Sequence, residues 1–217
     1  MTKLDDIKAG VRVLLEDSTA KRFSDAILEA ALRQALDEID QHLPLILRTD
    51  FTVTTAGRDQ ELTTITGCQY LVEITLPGEA EGSARLEPGE VFTYRLASGV
   101  PSLHFSGSLV PAAGDVFNVC YAAGYSIGGF LGQTATSLPA ELEHALVLGT
   151  AAMACYLRAG GVVERYGGGP QDSARLAEIG AMWRENFLRA LHGFKTLQQF
   201  GFPPGFALDR WDGRVSL

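Results

Sequence analysis

The apolar residues of this chain recur at helical spacing near both ends and alternate residue by residue in between. A period near 3.6 places side chains on one face of a helix, and a period of 2 places them on one face of a strand. A chain that changes rhythm twice can therefore be neither an all-helical nor an all-strand protein. At the start, Leu4, Ile7, Val11 and Leu14/Leu15 recur with charges between them. A polar break, Glu16–Arg22, separates them from a longer helix. There Ser24 is placed to cap, and Phe23 is placed to staple onto Leu28. Ile27, Leu28, Ala31, Leu32, Ala35, Leu36 and Ile39 then form a stripe that stops before Pro44.

From about Leu45 to Tyr125 the alternation takes over. It predicts strands at Phe51–Thr55, Leu62–Ile65, Tyr70–Leu76, Val91–Leu96, Ser102–Phe105 and Val116–Tyr121. Turn residues punctuate them: Ala56-Gly57-Arg58-Asp59, Pro77-Gly78, Pro88-Gly89, Ser98-Gly99 and Ala113-Gly114-Asp115. Six short strands at this spacing predict a small antiparallel sheet or sandwich.

Helical spacing returns after the Gly-rich connector Gly124–Gly132. Ser137-Leu138-Pro139 signals a start, and Glu141 and Glu143 suit a helix N-terminus. Leu142, Leu146, Gly149, Met153 and Tyr156 follow in steps of three and four, and Gly149, Ala151, Ala152 and Ala154 invite close helix packing. A loop is expected from Gly160-Gly161 to Pro170. Beyond it Asp172 or Ser173 would cap a last helix bearing Leu176, Gly180, Trp183, Phe187, Leu191 and Phe194. Gly149, Met153 and Trp183 are expected in the helix core. The predicted fold is α+β: an antiparallel helical bundle from both ends of the chain, with an inserted small antiparallel β domain and an extended C-terminal tail. Its parts are residues 1–44, 45–125, 126–198 and 199–217. Long flanking helices would bring the two ends of the insertion together near Leu45 and Tyr125.

Composition narrows the function. Hydrophobic residues are 46% and charged residues 20% of the 217, enough for a substantial core and unlike a disordered chain. The longest nearly apolar stretch, Ala145–Leu157, is about half of the ~20 residues a bilayer span requires, so no membrane segment is expected. The opening MTKLDDIKAG has acids where a secretory leader has an apolar run. The net charge of −8 includes no basic segment: Lys and Arg against Asp and Glu number 6 and 9 in residues 1–43, 4 and 9 in 44–138, and 8 and 8 in 139–217. Sequence-reading DNA binding needs a clustered basic surface, and this chain has none. Excess carboxylate would instead suit a surface past which DNA slides. Cys68, Cys120 and Cys155, odd in number and far apart, fit buried thiols in a reducing compartment.

Catalytic and ligand-binding patterns are weak. The Gly124 and Gly167 clusters lack the Lys-Ser/Thr of a phosphate loop and read as flexible connectors. Glu141 and His144 have the i, i+3 spacing of a metal-ligand pair, but no second pair accompanies them. Gly124-Tyr125-Ser126-Ile127-Gly128 has the form of a nucleophile elbow, yet Gly129, Gly132 and Pro139 delay the helix that an elbow enters directly. Asp5/Asp6, Glu16/Asp17 and Asp37/Glu38 read as solvated charge, and Cys155 as a small core residue with no neighbouring cation to lower its pKa. A convergent polar cluster that would make the β region a small-molecule site is missing too. No catalytic, metal or cofactor-binding residues are assigned, and the chain is expected to be no enzyme. The tail, by contrast, carries Phe200, Phe202, Phe206, Leu208, Trp211 and Val215 on a segment too interrupted by Pro203, Pro204, Gly205 and Gly213 to be an amphipathic helix. Such material either folds back on its own domain or anchors in a neighbour.

In its order of parts the chain resembles the head-to-tail connector (adaptor) proteins of tailed bacteriophages. The likeness is carried by Phe23–Ile39 as the opening helix, preceded by the short loop Asp17–Phe23. It continues through Pro101–Phe105, Pro111–Asp115 and Val119–Ala123 as the inserted β region, and through Thr136–Glu143 leading into Leu148–Ala154 as the third helix. The resemblance spans most of residues 10–195. It implies a structural virion protein in the neck, assembled in the host cytoplasm into a ring, commonly of twelve copies. The portal protein would lie above the ring and a tail-side neck or tail protein below, with the genome passing through the lumen without sequence-specific binding. It also implies that the C-terminal segment docks on the portal, with Phe202, Phe206, Leu208 and Trp211 as the partner interface. The alternatives are another neck ring, such as a tail terminator or head-completion protein, or a serine hydrolase using Ser126.

Overall fold

A computed structural model describes residues 3–63, 65, 67–76, 84–86, 90–95, 100–165 and 170–201. Its elements are mixed α+β and fall into two compact units, one built on helices and one on the strands of residues 44–124.

The helical unit begins with α1 (Lys3–Leu14), whose Leu4, Ile7 and Val11 are buried. Next comes α2 (Asp25–His42). Its cap is Ser24, whose hydroxyl accepts the Ile27 N–H at 3.4 Å. At its end the Leu43 N–H closes onto the Ile39 carbonyl, and Pro44 stops the helix. Helix α3 (Ala140–Arg165) pairs with α4 (Pro170–Gly201). All four helices contribute to one core, in which Leu28, Ala31, Leu32, Ile39, Leu142, Leu146 and Phe187 are almost wholly excluded from solvent. Gly149 is buried, whereas Met153 and Trp183 lie half-buried at the margin of that core. A Cβ added at Gly149 would sit 3.0 Å from the Phe187 ring, and one at Gly180 would sit 3.1 Å from the Tyr156 ring. Lacking side chains there, α3 and α4 approach closely.

Two expectations about these helices fail. Gly160 and Gly161 are not a loop but the last turns of α3, where an added Cβ would meet nothing within 4 Å. Ser173 does not cap α4. It lies inside the first turns, and its hydroxyl donates to the Ala159 carbonyl at 3.0 Å. Helix α4 also runs on to Gly201, so that Phe200 is helical; residues 202–217 lie outside the described residues.

The strand unit contains two antiparallel sheets. One orders β1 (Leu45–Thr52), β7 (Val116–Ala123), β3 (Cys68–Leu76) and β4 (Ala84–Arg85) as β1-β7-β3-β4. The other orders β2 (Asp59–Glu61), β6 (Pro101–Phe105) and β5 (Val91–Arg95) as β2-β6-β5. Their core gathers Phe51, Leu62, Ile74, Leu103, Phe105 and Phe117, with the Phe105 and Phe117 rings 5.0 Å apart. Among the described residues no strand covers the expected Leu62–Ile65: β2 ends at Glu61, and Leu62 and Ile65 reach the core from a turn closed by the Ile65 N–H to the Leu62 carbonyl. Strand β1 starts six residues before the predicted Phe51, pairing Leu45 with Ala123 and Thr52 with Val116. The first and last strands of this unit are thus antiparallel neighbours.

Candidate functional site

The α1–α2 loop gathers many polar bonds. Asp17 is 3% exposed and lies where the backbone turns back on itself. Its Oδ1 accepts the N–H groups of Lys21 and Arg22, both at 3.0 Å, and its Oδ2 accepts that of Phe23 at 2.8 Å. Burial works against the charge, but these three donors and the nearby Arg12 guanidinium outweigh it and hold the carboxyl below its usual range. The reading of Asp17 as solvated charge is therefore wrong, because folding the loop presents three amides to it. Arg12 donates to the Phe23 carbonyl at 2.9 Å and pairs with Asp25, whose carboxyl is lowered by Arg12 first and Lys8 second. Arg22 donates to the Leu15 and Glu16 carbonyls, satisfying acceptors left open at the end of α1. Lys8 reaches Glu29 at 2.5 Å; burial alone would lower its pKa, yet Glu29 and Asp25 raise it.

This loop forms one wall of a broad groove of about 1530 Å³ on the helical unit. The start of α2, the C-terminal half of α3 and the N-terminal half of α4 supply the rest. Leu157 and Met182 stand 36% and 50% exposed in it, beside the half-buried Ile27, Ile179 and Trp183. Lys21, Arg22, Arg158 and Arg175 stand around it, against Glu16 and Asp172. The sequence carries a trace of this surface. Ile179, Met182 and Trp183 stand three and one residues apart, making the apolar stripe of α4 wider than one core contact needs.

The other candidates have structural roles. The Ser126 hydroxyl donates to the Ala135 carbonyl at 3.1 Å and lies 3.2 Å from the Ser137 hydroxyl, so its described partners are a carbonyl and an alcohol rather than a base. Nor is its segment a flexible connector. Ser137 N–H to Ser126 carbonyl, Gly128 N–H to Thr136 hydroxyl and Gly129 N–H to Gln133 carbonyl close it into a knit loop, with Ile127 and Phe130 buried beneath. Leu4 at the start of α1 donates to the Gly128 carbonyl, and Asp40 of α2 accepts the Tyr125 N–H at 3.0 Å. Glu141 and His144 are exposed on α3, and among the described residues no group of three His, Cys, Asp or Glu converges as a metal site. Cys68, Cys120 and Cys155 are buried, and none forms a disulfide. Burial pushes the Cys155 thiol up to about 11 even though Arg22 and Arg158 pull it down, which corrects the expectation that no cation is near. No helix among the described residues is long and apolar enough to cross a membrane. The predicted interface residues Phe202, Phe206, Leu208 and Trp211 lie outside the described residues.

No family model and no curated protein matches the sequence. Among solved structures, the chain is similar to one from the neck of an empty gene transfer agent (GTA) particle computed with C6 symmetry, at 19% identity and TM-score 0.32, over 68% of this chain and 74% of that one. It is similar to a chain of the native GTA virion at 19% identity and TM-score 0.32, over 81% and 86%. A third, from the neck of the native GTA particle computed with C12 symmetry, has 18% identity and TM-score 0.31, over 80% and 89%. TM-scores of this size fall below those of chains that share an overall fold, and they assign no role to this chain.

Proposed function

We propose that this chain is a structural subunit of the neck of a phage-like particle, a head-to-tail connector that forms a ring under the portal. The observation that carries the reading is the architecture itself. A helical unit assembled from both ends of the chain brackets a strand unit whose first and last strands pair, Leu45 opposite Ala123. This is the arrangement of parts on which the resemblance to the connectors rests. Two further properties support it. The polar groups that stand together, from Asp17 and Arg12 to Ser126 and Asp40, are engaged in holding loops and helix ends. The surplus of carboxylate suits a lumen that lets a polyanion pass without holding it. In this reading Phe202, Phe206, Leu208 and Trp211 are aromatic and apolar anchors on the portal or a neighbouring subunit. The genome traverses the ring without base-specific contacts, and a tail-side neck protein docks below.

The test is genetic and visual. Inactivating the gene in cells that produce the particle should yield filled heads and separate tails in electron micrographs, and supplying the intact chain should restore joined particles. Normal tailed particles without the chain would overturn the reading.

A further inference from the structure

The groove between the α1–α2 loop and the α3–α4 pair has no counterpart among the structural roles above. It is larger than the ~300–1,000 Å³ of usual small-molecule sites, and its lining includes the large apolar side chains Ile27, Leu157, Ile179, Met182 and Trp183. A peptide segment with large apolar side chains fits that description. We infer that the groove receives residues Phe206–Trp211 of a second copy of this chain; this rests on the reading of the tail as a docking segment.

Chain length argues for a second copy over the chain's own tail. The nearest groove residue on α4, Trp183, lies about 27 Å back along the helix from Gly201 at ~1.5 Å per residue, and Ile179 about 33 Å back. Phe206 follows Gly201 by five residues, a reach of ~18 Å at full extension, so it falls short of its own groove. Trp211 has a reach of ~36 Å, and turning back at the end of α4 uses part of it. The two aromatic rings therefore do not both return, whereas the tail of a neighbour carries no such tether.

Charge does not oppose the fit. In the tail Asp209 and Asp212 are balanced by Arg210 and Arg214, and the groove carries Lys21, Arg22, Arg158 and Arg175 against Glu16 and Asp172. Partly exposed apolar side chains, Leu157 and Met182, would be covered at the same time. A tail from one copy in a groove of the next is a heterologous contact: each subunit gives one surface and receives another. Repeated by rotation, such contacts close into rings.

The experiment uses the full-length chain and two variants, Met182→Glu in the groove and Trp211→Ala in the tail, followed by sedimentation velocity over a concentration series. Wild type should self-associate with concentration, and each variant alone should do so at least ~tenfold more weakly, the effect of ~1.4 kcal/mol. Mixing the two variants should restore association but stop it at heterodimers, because only one intact tail and one intact groove remain per pair. Unchanged thermal unfolding checks the fold of Met182→Glu, and Arg175→Glu at the exposed border is the second groove variant should the first unfold. A wild type that stays monomeric throughout, variants that associate as wild type does, or a mixture that restores nothing would each overturn the proposal. The measurement contains neither portal nor particle, so its failure leaves the neck reading standing. Conversely, normal particles after gene inactivation would leave this contact standing.

Discussion

Three backbone N–H groups converge on Asp17, and that carboxylate fixes the path by which α1 turns into α2. Replacing it with Asn removes the charge and turns an acceptor into a donor facing donors. Asp17→Asn should cost about 2–3 kcal/mol, read as a lower urea midpoint at pH 7. The pH dependence has a definite sign. Because the folded carboxyl is depressed below its unfolded value, its stabilisation is complete above about pH 4 and is lost as pH falls through the folded pKa. Wild type and variant should therefore differ at neutral pH and converge in acid; a constant gap down to pH 2 would refute the assignment. The thiols give a second prediction at this scale. With Cys155 pushed up to about 11 and all three cysteines buried, a thiol reagent at pH 8 should label none until the chain is unfolded. Sequence spacing hid Asp17, since Glu16 and Asp17 stand beside each other in a polar break and only the folded loop turns amides toward one of them. The thiols were readable, being odd in number and far apart in the sequence.

Among the elements, glycines of one helix have opposite meanings. In α3, Gly149 faces the Phe187 ring, while Gly160 faces open space. Gly149→Ala should force that buried ring aside and cost about 1–2 kcal/mol after the helix gain of Ala is subtracted. Gly160→Ala should instead stabilise by about 0.5–1 kcal/mol, because it only removes freedom from the unfolded chain. Thermal unfolding of both variants tests the pair: equal shifts in one direction would contradict the packing. The helices were legible in the sequence because each carries a sustained 3.6-residue stripe and α2 has its Ser24 cap. The strands were less so. Strand β2 buries only Gln60, which gives no alternation to detect, and Gln60 is held by its amide on the Thr55 and Gly57 carbonyls. At Leu45–Leu47 three apolar residues in a row hid the start of β1, of which Ile46 faces outward, 47% exposed. Gly160-Gly161 looked like a break because propensity ignores α4, whose Ser173 hydroxyl donates to the Ala159 carbonyl just before the pair.

For the whole molecule, the division into a helical and a strand unit follows from the changes of rhythm, whereas the groove needed three segments far apart in sequence and left only a widened stripe on α4. A chain ended after Gly201 should keep its far-ultraviolet circular dichroism and its cooperative unfolding, since both cores lie upstream. The proposal for the tail adds that this shortened chain fails to join particles, which complementation of the inactivated gene measures. One more property follows from the pairing of β1 with β7. Opposed residues on antiparallel strands stand only ~5 Å apart, so Leu45 and Ala123 mark a doorway a short hairpin can span. Splicing residue 44 to residue 124 through a few glycines should give a miniature, still helical protein. Foreign cargo could be grafted into the same gap, making the bundle a portable frame that leaves its guest free to diversify.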